Sequence, residues 1–480
     1  MPVALTQVVA SISLPLSTVR NLVYLVAIIG FILALKGLGS PKYARQGNQL
    51  GAAAAILAVA ITFTLPSLRH ADKNLILALV AMVLGAAIAV PVARKVRMTA
   101  MPQLVAVFNG VGGGAAALIS IIELLHLHSL GLKPAVYVTA EVLLGVLIGA
   151  VSFSGSAIAF IKLQELITGR PITYPGQQVI NGIVGVAIAA LIVVSLVTGN
   201  IAFVYILLVL ALILGVIFVL PIGGADVPVL ISLLNSFTGL AVAASGFVLD
   251  NDLLIVAGTL VGASGIILTR LMSSAMGRSL PNILFSAFGS VITATGGEEG
   301  DASRPVRTGT PEDVGVLLAY ARKVVIIPGY GLAVAQAQHT VRELADALMA
   351  RGVEVFFAIH PVAGRMPGHM NVLLAEANVP YDELKEMDEA NPEMSTADVA
   401  LVVGANDTVN PAALATPGSP IFGMPIIHAD EAENIVFLKR SMRPGFAGID
   451  NELLYDPKTT MLFGDAKDTL TKLVAAVAEA

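Results

Sequence analysis

The sequence predicts a polytopic α-helical membrane domain followed by an α/β domain with a Rossmann-like parallel sheet. The chain of 480 residues is 56% hydrophobic and only 13% charged, against about 25% charged in an average soluble protein. Long apolar segments fill residues 1–271, and short strand-like and helix-like periods alternate across residues 312–480. The residues between them, 272–311, are rich in glycine and acidic residues, and we expect them to form a hinge or linker.

The first part contains about nine segments that can cross a bilayer, whose hydrocarbon core of about 30 Å needs roughly 20 apolar residues per helix. They are residues 21–38, 49–66, 74–93, 103–125, 135–160, 178–198, 201–220, 227–249 and 253–271. Gly, Ala and Ser are frequent in them, and such small residues let helices pack closely in lipid.

The distribution of charged residues predicts the orientation of the chain in the membrane. Residues 1–304 carry 15 Lys and Arg against 10 Asp and Glu, whereas residues 305–480 carry 13 against 23. With nine spans and a cytoplasmic C-terminal domain, ten basic residues fall on the cytoplasmic side and four on the other, in agreement with the positive-inside rule. The ten are Lys36, Lys42, Arg45, Arg94, Lys95, Arg97, Lys162, Arg170, Arg270 and Arg278.

Few polar residues lie inside the predicted spans. Glu141 is in the fifth span and Asp226 opens the eighth. A carboxylate within a membrane indicates a functional site, although an interfacial position with a polar partner explains either residue equally well. Asn109, Ser156 and Asn235 are uncharged, and they either orient water or join helices by hydrogen bonds. No histidine lies in the middle of a span, so the chain lacks the usual near-neutral proton relay.

The C-terminal half alternates between strand and helix. The predicted strands are residues 323–327, 354–359, 399–403, 425–428, 434–438 and 460–463, and the predicted helices are 334–351, 370–377, 381–389 and 466–478. This alternation predicts a parallel sheet covered on both faces, with ligands bound at the carboxyl ends of the strands.

A glycine turn, Gly329-Tyr330-Gly331, follows the first of these strands. Such a turn brings backbone N–H groups against a pyrophosphate in dinucleotide-binding folds. Val334 stands at the third fingerprint position, so we expect the helix and strand to lie slightly farther apart. The acidic residue that holds an NAD ribose should end the second strand, but that strand ends in Ile359-His360.

A basic cluster follows a later strand instead and favours NADP over NAD. Lys439, Arg440 and Ser441 suit a 2′-phosphate by charge-assisted hydrogen bonds. The alternative is a solvated surface pair. The acidic half is not a nucleic-acid binder on charge grounds. The absence of cysteine excludes thiol catalysis and cysteine-held iron–sulfur clusters, and we predict no metal site.

Long motifs in both halves resemble the beta subunit of the proton-translocating nicotinamide nucleotide transhydrogenases. The chain is similar to that family at Pro328–Gln338 (PGYGLAVAQAQ), His360–Val372 (HPVAGRMPGHMNV), Gly404–Pro411 (GANDTVNP), Phe437–Met442 (FLKRSM), Met101-Pro102, Gly223–Pro228 (GGADVP) and Leu234-Asn235-Ser236. The resemblance covers nearly the whole chain.

The resemblance implies an NADP(H)-binding domain on a proton-conducting membrane domain in the bacterial cytoplasmic membrane. It implies a Re/Si-specific enzyme that moves hydride directly between two nicotinamides, with no side-chain acid or base. NAD(H) would bind an alpha partner that includes a small membrane subunit, in a complex that dimerises within membrane lipid. The implied NADP(H) contacts are Gly329, Tyr330, Gly331, Ala333, Val334, Ala335, Val362, Ala363, Gly364, Arg365, Met366, Pro367, Gly404, Ala405, Asn406, Asp407, Thr408, Lys439, Arg440 and Ser441.

The same resemblance implies that Asp407 couples nucleotide binding to proton state, and that Ser156, Asp226 and Asn235 belong to the proton path. Glu141 is a further candidate for that path. Many family members carry a histidine where this chain has Asn109, and an amide cannot relay a proton by titrating. Our hypothesis is that a membrane helix of a partner chain supplies the missing group.

Two other functions compete with this interpretation. The first is a cation or proton transporter that is gated by nucleotide binding and performs no redox chemistry. The second is a membrane reductase that passes electrons to quinone, which the absence of cysteine clusters and paired mid-span histidines argues against.

Overall fold

The computed structural model describes residues 15–65, 72–97, 100–132, 134–164, 166–167, 172–223, 226–275, 280, 304–364, 368–416, 419, 421–445 and 447–480. Up to residue 275, these ranges contain nine long helices. They are α1 (Leu16–Leu38), α2 (Pro41–Thr62), α3 (Asp72–Lys95), α4 (Met101–Ser129), α5 (Val136–Leu163), α6 (Gln177–Thr198), α7 (Ile201–Val219), α8 (Val227–Val248) and α9 (Asp252–Ala275).

Eight of these helices are long and apolar enough to cross a membrane, which makes this a membrane protein. The ninth, α2, contains most of the predicted second span but begins with polar turns that include Lys42 and Arg45. The predicted helical character of the first part is confirmed.

The centre of the helical part is formed by α4, α5 and α8. Small residues make the contact, since α4 buries Ala106, Gly110, Gly113 and Ala117, and α5 buries Gly145, Gly149 and Ala150 among others. In lipid, close approach of small residues stabilises helix pairs by van der Waals contact and interhelical hydrogen bonds.

Helix α3 differs from the others. In its apolar window, Lys73–Lys95, none of the described residues is buried. Its large side chains, such as Ile76, Leu77 and Ile88, are 59–69% exposed. Lipid or another chain must therefore cover nearly its whole surface.

The C-terminal part contains a six-stranded parallel sheet in the order β3-β2-β1-β4-β5-β6. The strands are β1 (Lys323–Pro328), β2 (Glu354–Ile359), β3 (Leu384–Glu386), β4 (Val399–Val403), β5 (Asn434–Lys439) and β6 (Thr459–Phe463). Chain order reverses between β1 and β4, which pair in register from Val324↔Val399 to Pro328↔Val403. This is the switch point at which doubly wound sheets form their ligand crevice.

The sheet is covered on both faces, as predicted. Helices α10 (Pro311–Ala319), α12 (Gln338–Ala350), α13 (His369–Glu376) and α16 (Ala466–Glu479) lie over one core, with a short helix α11 (Tyr330–Val334) before α12. Helix α14 (Met387–Met394) covers the other face, and the four-residue α15 (Ala412–Ala415) lies beyond it. Buried aliphatic runs such as Val399–Val403 explain this arrangement, because a parallel strand is apolar on both faces.

Three predicted elements were wrong in detail. The helix predicted over 334–351 is divided into α11 and α12, with Gln336 between them at φ +51°. The helix predicted over 381–389 instead contains strand β3 before α14. No strand forms at 425–428, because Pro425 has no N–H, and the N–H groups of Ile427 and His428 bond to Thr408 O and Asn391 Oδ1 rather than to a ladder.

Candidate functional site

The glycine turn lies at the switch point of the sheet, in backbone contact with the loop after β4. Gly329 N donates to Val403 O at 2.9 Å, and Gly331 N donates to Gly404 O at 2.9 Å. A Cβ on Gly329 would lie 2.4 Å from Ala405 Cα, and Gly404 has φ +69°. Glycine is therefore required on both sides of this contact, because only glycine lets the backbones of the two loops approach each other this closely.

The residues after the turn are divided between core and surface. Ala333 is buried, Tyr330 and Ala335 are half-buried, and Val334 is 43% exposed. Leu332 and Ala333, rather than Val334, pack into the core beneath the turn. The side chain of Val334 thus lies outside that contact, and its predicted effect on the spacing of helix and strand stays a prediction.

The loops after β4 and β5 are joined by a polar chain. Lys439 Nζ donates to Asn406 Oδ1 at 3.0 Å, and Asn406 Nδ2 donates to Asp407 Oδ1 at 3.0 Å. Ala447 N donates to Asp407 Oδ2 at 2.9 Å. Asp407 thus holds the two loops together on the carboxyl edge, the name we give to the loops 329–335, 360–364, 404–410 and 439–447.

The cations of this edge differ in exposure. Burial lowers the pKa of Lys439, although the carboxylates of Asp450 and Asp407 counteract it. Arg440 and Ser441 are exposed beside it. The edge therefore presents one anchored ammonium and one exposed guanidinium next to a hydroxyl.

The end of β2 carries a neutral imidazole where an NAD site has an acid. His360 is 1% exposed, its Nε2 lies 2.8 Å from Pro425 O, and Val362 N donates to its Nδ1 at 3.2 Å. Burial lowers the pKa of His360. The next residues, Val362 and Ala363, pack into the core, and Gly364 has φ +103°. Arg365, Met366 and Pro367 lie outside the described residues.

One buried atom on this edge has no partner. Thr408 Oγ1 is shielded from solvent and has no hydrogen-bond partner among the described residues. Ala405 is 8% exposed beside it. A buried hydroxyl of this kind costs about 1–3 kcal/mol until something satisfies it, which fits a polar ligand between these loops.

A second group of polar side chains lies between the membrane helices, and we call Asn109, Ser152, Ser156 and Thr238 the Asn109 network. Asn109, 7% exposed, donates from Nδ2 to Ser156 Oγ at 2.9 Å and to Ser152 Oγ at 3.3 Å. Ser152 Oγ donates to Leu234 O at 2.9 Å and lies 2.5 Å from Thr238 Oγ1. Asn109 Oδ1 is buried without a partner in the described part of the chain.

The structure brings only part of the predicted proton path together. Asn109 and Ser156 are bonded, whereas no hydrogen bond among the described residues joins Glu141, Asp226 or Asn235 to them. Glu141 and Asn235 are half-buried, and Asp226 is 8% exposed at the start of α8. Ser152 and Thr238 were not predicted, although Ser152 precedes Ser156 by four residues and so shares its helix face.

Comparison with known proteins places these two sites in one family. A family model for the NAD(P) transhydrogenase beta subunit matches residues 20–476. The NAD(P) transhydrogenase subunit beta of Rhodospirillum rubrum is 49% identical over 460 residues, which cover 95% of this chain and 98% of the relative. A protein of the same description from a defined strain of that species matches equally. The chain belongs to the NAD(P) transhydrogenase beta subunit family.

Membership confirms the resemblance drawn from the motifs. A transhydrogenase uses NAD(H) and NADP(H), and a beta subunit implies an alpha partner. Both sites lie within the matched residues, so each belongs to the transhydrogenase subunit and neither to an appended segment.

The transhydrogenase subunit also contains a buried cation that sequence reasoning counted only toward orientation. Lys162, 3% exposed at the end of α5, donates to Leu220 O at 2.5 Å, Ile222 O at 2.7 Å and Val219 O at 3.4 Å. The ammonium therefore caps the C-terminus of α7, where the helix dipole favours a cation. The capped turn leads directly into Asp226, whose N–H bonds to Gly223 O.

Proposed function

We propose that this transhydrogenase subunit binds NADP(H) at its carboxyl edge and couples hydride exchange with NAD(H), held by an alpha partner, to proton movement across the bacterial cytoplasmic membrane. The observation that carries the proposal is the distribution of charge on the carboxyl edge: the anchored Lys439 ends β5, and His360 rather than a carboxylate follows β2. A cation at this edge would suit a 2′-phosphate, and a carboxylate after β2 would instead prefer a free ribose.

The residues of the edge fit NADP(H) by their chemistry. Lys439, Arg440 and Ser441 would hold the 2′-phosphate, and the turn Gly329–Ala335 would lie against the pyrophosphate. The N–H groups of Gly329 and Gly331 already bond to Val403 O and Gly404 O, so any backbone donor would come from another residue of the turn. Residues 362–367 and 404–408 would complete the site, with the unpartnered Thr408 hydroxyl as one donor. The two nicotinamides carry the hydride between them: bound NADPH would donate it to NAD⁺ on the partner, and bound NADP⁺ would accept it from NADH. The side chains only position the bound nucleotide and exclude water, because direct hydride transfer needs no protein acid or base.

We further propose three units within the chain: residues 1–271 conduct protons, 272–311 form the hinge, and 312–480 bind the nucleotide in the cytoplasm. The long helices within Leu16–Ala275 and the sheet within Lys323–Phe463 support a helical unit followed by an α/β unit, with helix α9 continuing four residues beyond the proposed boundary. The complex would be a dimer of Re/Si-specific type that includes a small membrane subunit.

The proton path we propose contains Asn109, Glu141, Ser156, Asp226 and Asn235. The amide of Asn109 does not titrate. Its buried Oδ1 accepts no hydrogen bond from the described residues, which supports the idea that a donor from a partner helix reaches it. Asp407, held between Asn406 and Ala447, would sense the proton state at the nucleotide edge. One proton that crosses 100 mV releases about 2.3 kcal/mol, which can bias the redox ratio roughly 50-fold.

The test is hydride transfer from NADPH to an NAD⁺ analogue in vesicles that contain this chain and its alpha partner, with and without an imposed pH gradient. We expect the partner to be required and the gradient to change the rate. Ion flux that depends on nucleotide but proceeds without redox change would show a nucleotide-gated transporter instead.

The partner's contribution is tested separately. Removing each candidate histidine from the membrane helices of the partner should abolish coupling, and Asn109→His in this chain should restore it. Full coupling after removal of all those histidines would refute the supplied-donor idea and favour water chains or Glu141.

A further inference from the structure

The C-terminal domain is entered along its edge strand. Residues 304–310 are the described C-terminal end of the segment proposed as the hinge, and they run beside β6. Thr308 forms a parallel bridge with Met461, Met461 N donates to Arg307 O at 2.8 Å, and Gly309 N donates to Met461 O at 3.1 Å. These backbone hydrogen bonds thus fix the entry segment, residues 304–310, to the edge of the sheet.

Arg304, at the start of this segment, is held by two residues of one short turn, Glu452–Tyr455. Its Nη1 and Nη2 donate to the two carboxylate oxygens of Glu452 at 2.9 and 2.7 Å. Its guanidinium carbon lies 4.0 Å from the centre of the Tyr455 ring. An exposed ion pair alone stabilises little, but a two-pronged pair with ring stacking fixes both the position and the plane of the guanidinium.

The turn that holds Arg304, Glu452–Tyr455, is joined by hydrogen bonds to the loop after β4. Tyr455 Oη donates to Asp450 Oδ2 at 2.9 Å, and Asn410 Nδ2 donates to Asp450 O at 2.9 Å. Asn451 Nδ2 donates to Asn406 O at 3.1 Å. Asn410 and Asn451 are at most 1% exposed, so these links are shielded from competition by water.

Asn406 closes the chain of contacts, because its side chain accepts from Lys439 and donates to Asp407. We propose that Arg304 is a positioning residue that ties the entry segment of the domain to the Asn406 loop, so that this contact sets how fast NADP(H) leaves. The inference rests on the proposed function, since it assigns a control of release to that same site.

The chain offers a matched control at the opposite edge of the sheet. Arg322 donates to Asp398 at 3.0 Å, and its guanidinium is largely exposed. Arg322 and Asp398 also form an Arg–carboxylate pair next to a strand. This pair lies at the amino end of β1, away from the carboxyl edge. If Arg304 forms only a generic surface ion pair, removing Arg304 or Arg322 should therefore have the same effect on NADPH release. If Arg304 is a positioning residue, only its removal should change that release.

The experiment measures NADPH release from the purified complex by the change in its fluorescence, together with the thermal midpoint. For Arg304→Ala we expect release about threefold to fivefold faster, as the loss of an exposed pair of up to about 1 kcal/mol allows. Tyr455→Phe keeps the ring and loses only the bond to Asp450, so it should accelerate release in the same direction. The double variant should be no faster than Arg304→Ala, because both changes cut one chain of contacts.

Arg322→Ala should leave release unchanged. Equal release from wild type, Arg304→Ala and Tyr455→Phe would overturn the inference, as would an equal acceleration by Arg322→Ala. If Arg304→Ala fails to fold, Tyr455→Phe and Glu452→Gln decide the question alone. A wild-type complex that binds no NADPH would instead refute the proposed function.

Discussion

The carboxyl edge of the sheet and the Asn109 network both gather polar side chains from several elements, but with opposite chemistry. The edge uses charged groups, Lys439 and Asp407, beside loops that water can reach. The network uses only hydroxyls and an amide, which helices α4, α5 and α8 bury. A charge on the edge is stabilised by solvent and by its partner, whereas a charge in the network would face a large desolvation cost.

Under the proposed function, this difference would divide the work between the two sites. Specific recognition of an anion needs fixed charge, and the edge provides it. Passage of a proton between helices needs groups that exchange hydrogen bonds at small cost, and neutral hydroxyls do so without trapping the proton. Lys162 is the exception that tests this contrast, because it is a cation buried among membrane helices.

The largest effect is expected for Lys162→Met. The change keeps the apolar stem but leaves the carbonyls of Leu220 and Ile222 without their donor. We expect the loss of about 3 kcal/mol of stability, measured as the midpoint of thermal unfolding in detergent. Lys36→Met, at the exposed end of α1, is the control and should change the midpoint little. Equal shifts of the midpoint in both variants would show that Lys162 does not stabilise the C-terminus of α7.

The next effect concerns the backbone of the edge. Gly404→Ala places a Cβ 2.4 Å from Leu332 N at φ +69°, whereas Gly352→Ala has φ +86° and nothing within 4 Å. We expect Gly404→Ala to lower the free energy of unfolding by about 3 kcal/mol and Gly352→Ala to lower it by about 1 kcal/mol. Only the first variant adds a steric clash to the strain of a left-handed backbone. Chemical denaturation of the two variants measures the difference. Similar costs would show that the loops after β1 and β4 are not in tight contact.

Lys439→Met should weaken NADPH binding by about 2 kcal/mol, or roughly 30-fold, since a charge-assisted hydrogen bond is lost. Binding of NADH, which lacks the 2′-phosphate, should not change. Titration calorimetry with both nucleotides provides the measurement, and Lys472→Met on the exposed face of α16 is the control. A parallel loss for NADH would place Lys439 away from the 2′-phosphate.

The smallest effect is expected in the neutral network. Ser156→Ala removes one hydrogen bond to Asn109 and should cost about 0.6 kcal/mol in stability, the typical value between membrane helices. Proton-coupled activity in vesicles should fall more than stability does. If the two fall together, the bond is structural, and the contrast between edge and network loses its functional meaning.

Local sequence pattern predicted much of this molecule. The runs Val324–Ile327 and Val399–Val403 specify buried parallel strands by their composition alone, and the glycine turn specifies its own position at the switch point. Strand β3 escaped prediction because Leu384–Glu386 has three residues and no apolar run, and its pairing with β2 decides its conformation. Pro425–His428 looked like a strand because composition cannot reveal that its N–H groups bond to loops.

The sites follow the same rule. Residue types such as Lys439 and Asp407 are visible in the sequence, but the partners that orient them are not. Lys439 bonds to Asn406, and through it to Asp407, across 33 positions of the chain, and Thr238 reaches Ser152 across 86. Such long-range contacts depend on how the elements pack, which no local pattern encodes.

Helix α3 adds a consequence for assembly. Because the described residues of Lys73–Lys95 bury nothing, the free energy of this helix in the bilayer depends on lipid and on other chains rather than on the rest of its own chain. Substitutions along it should therefore leave the unfolding of this subunit nearly unchanged while they alter which neighbours it keeps.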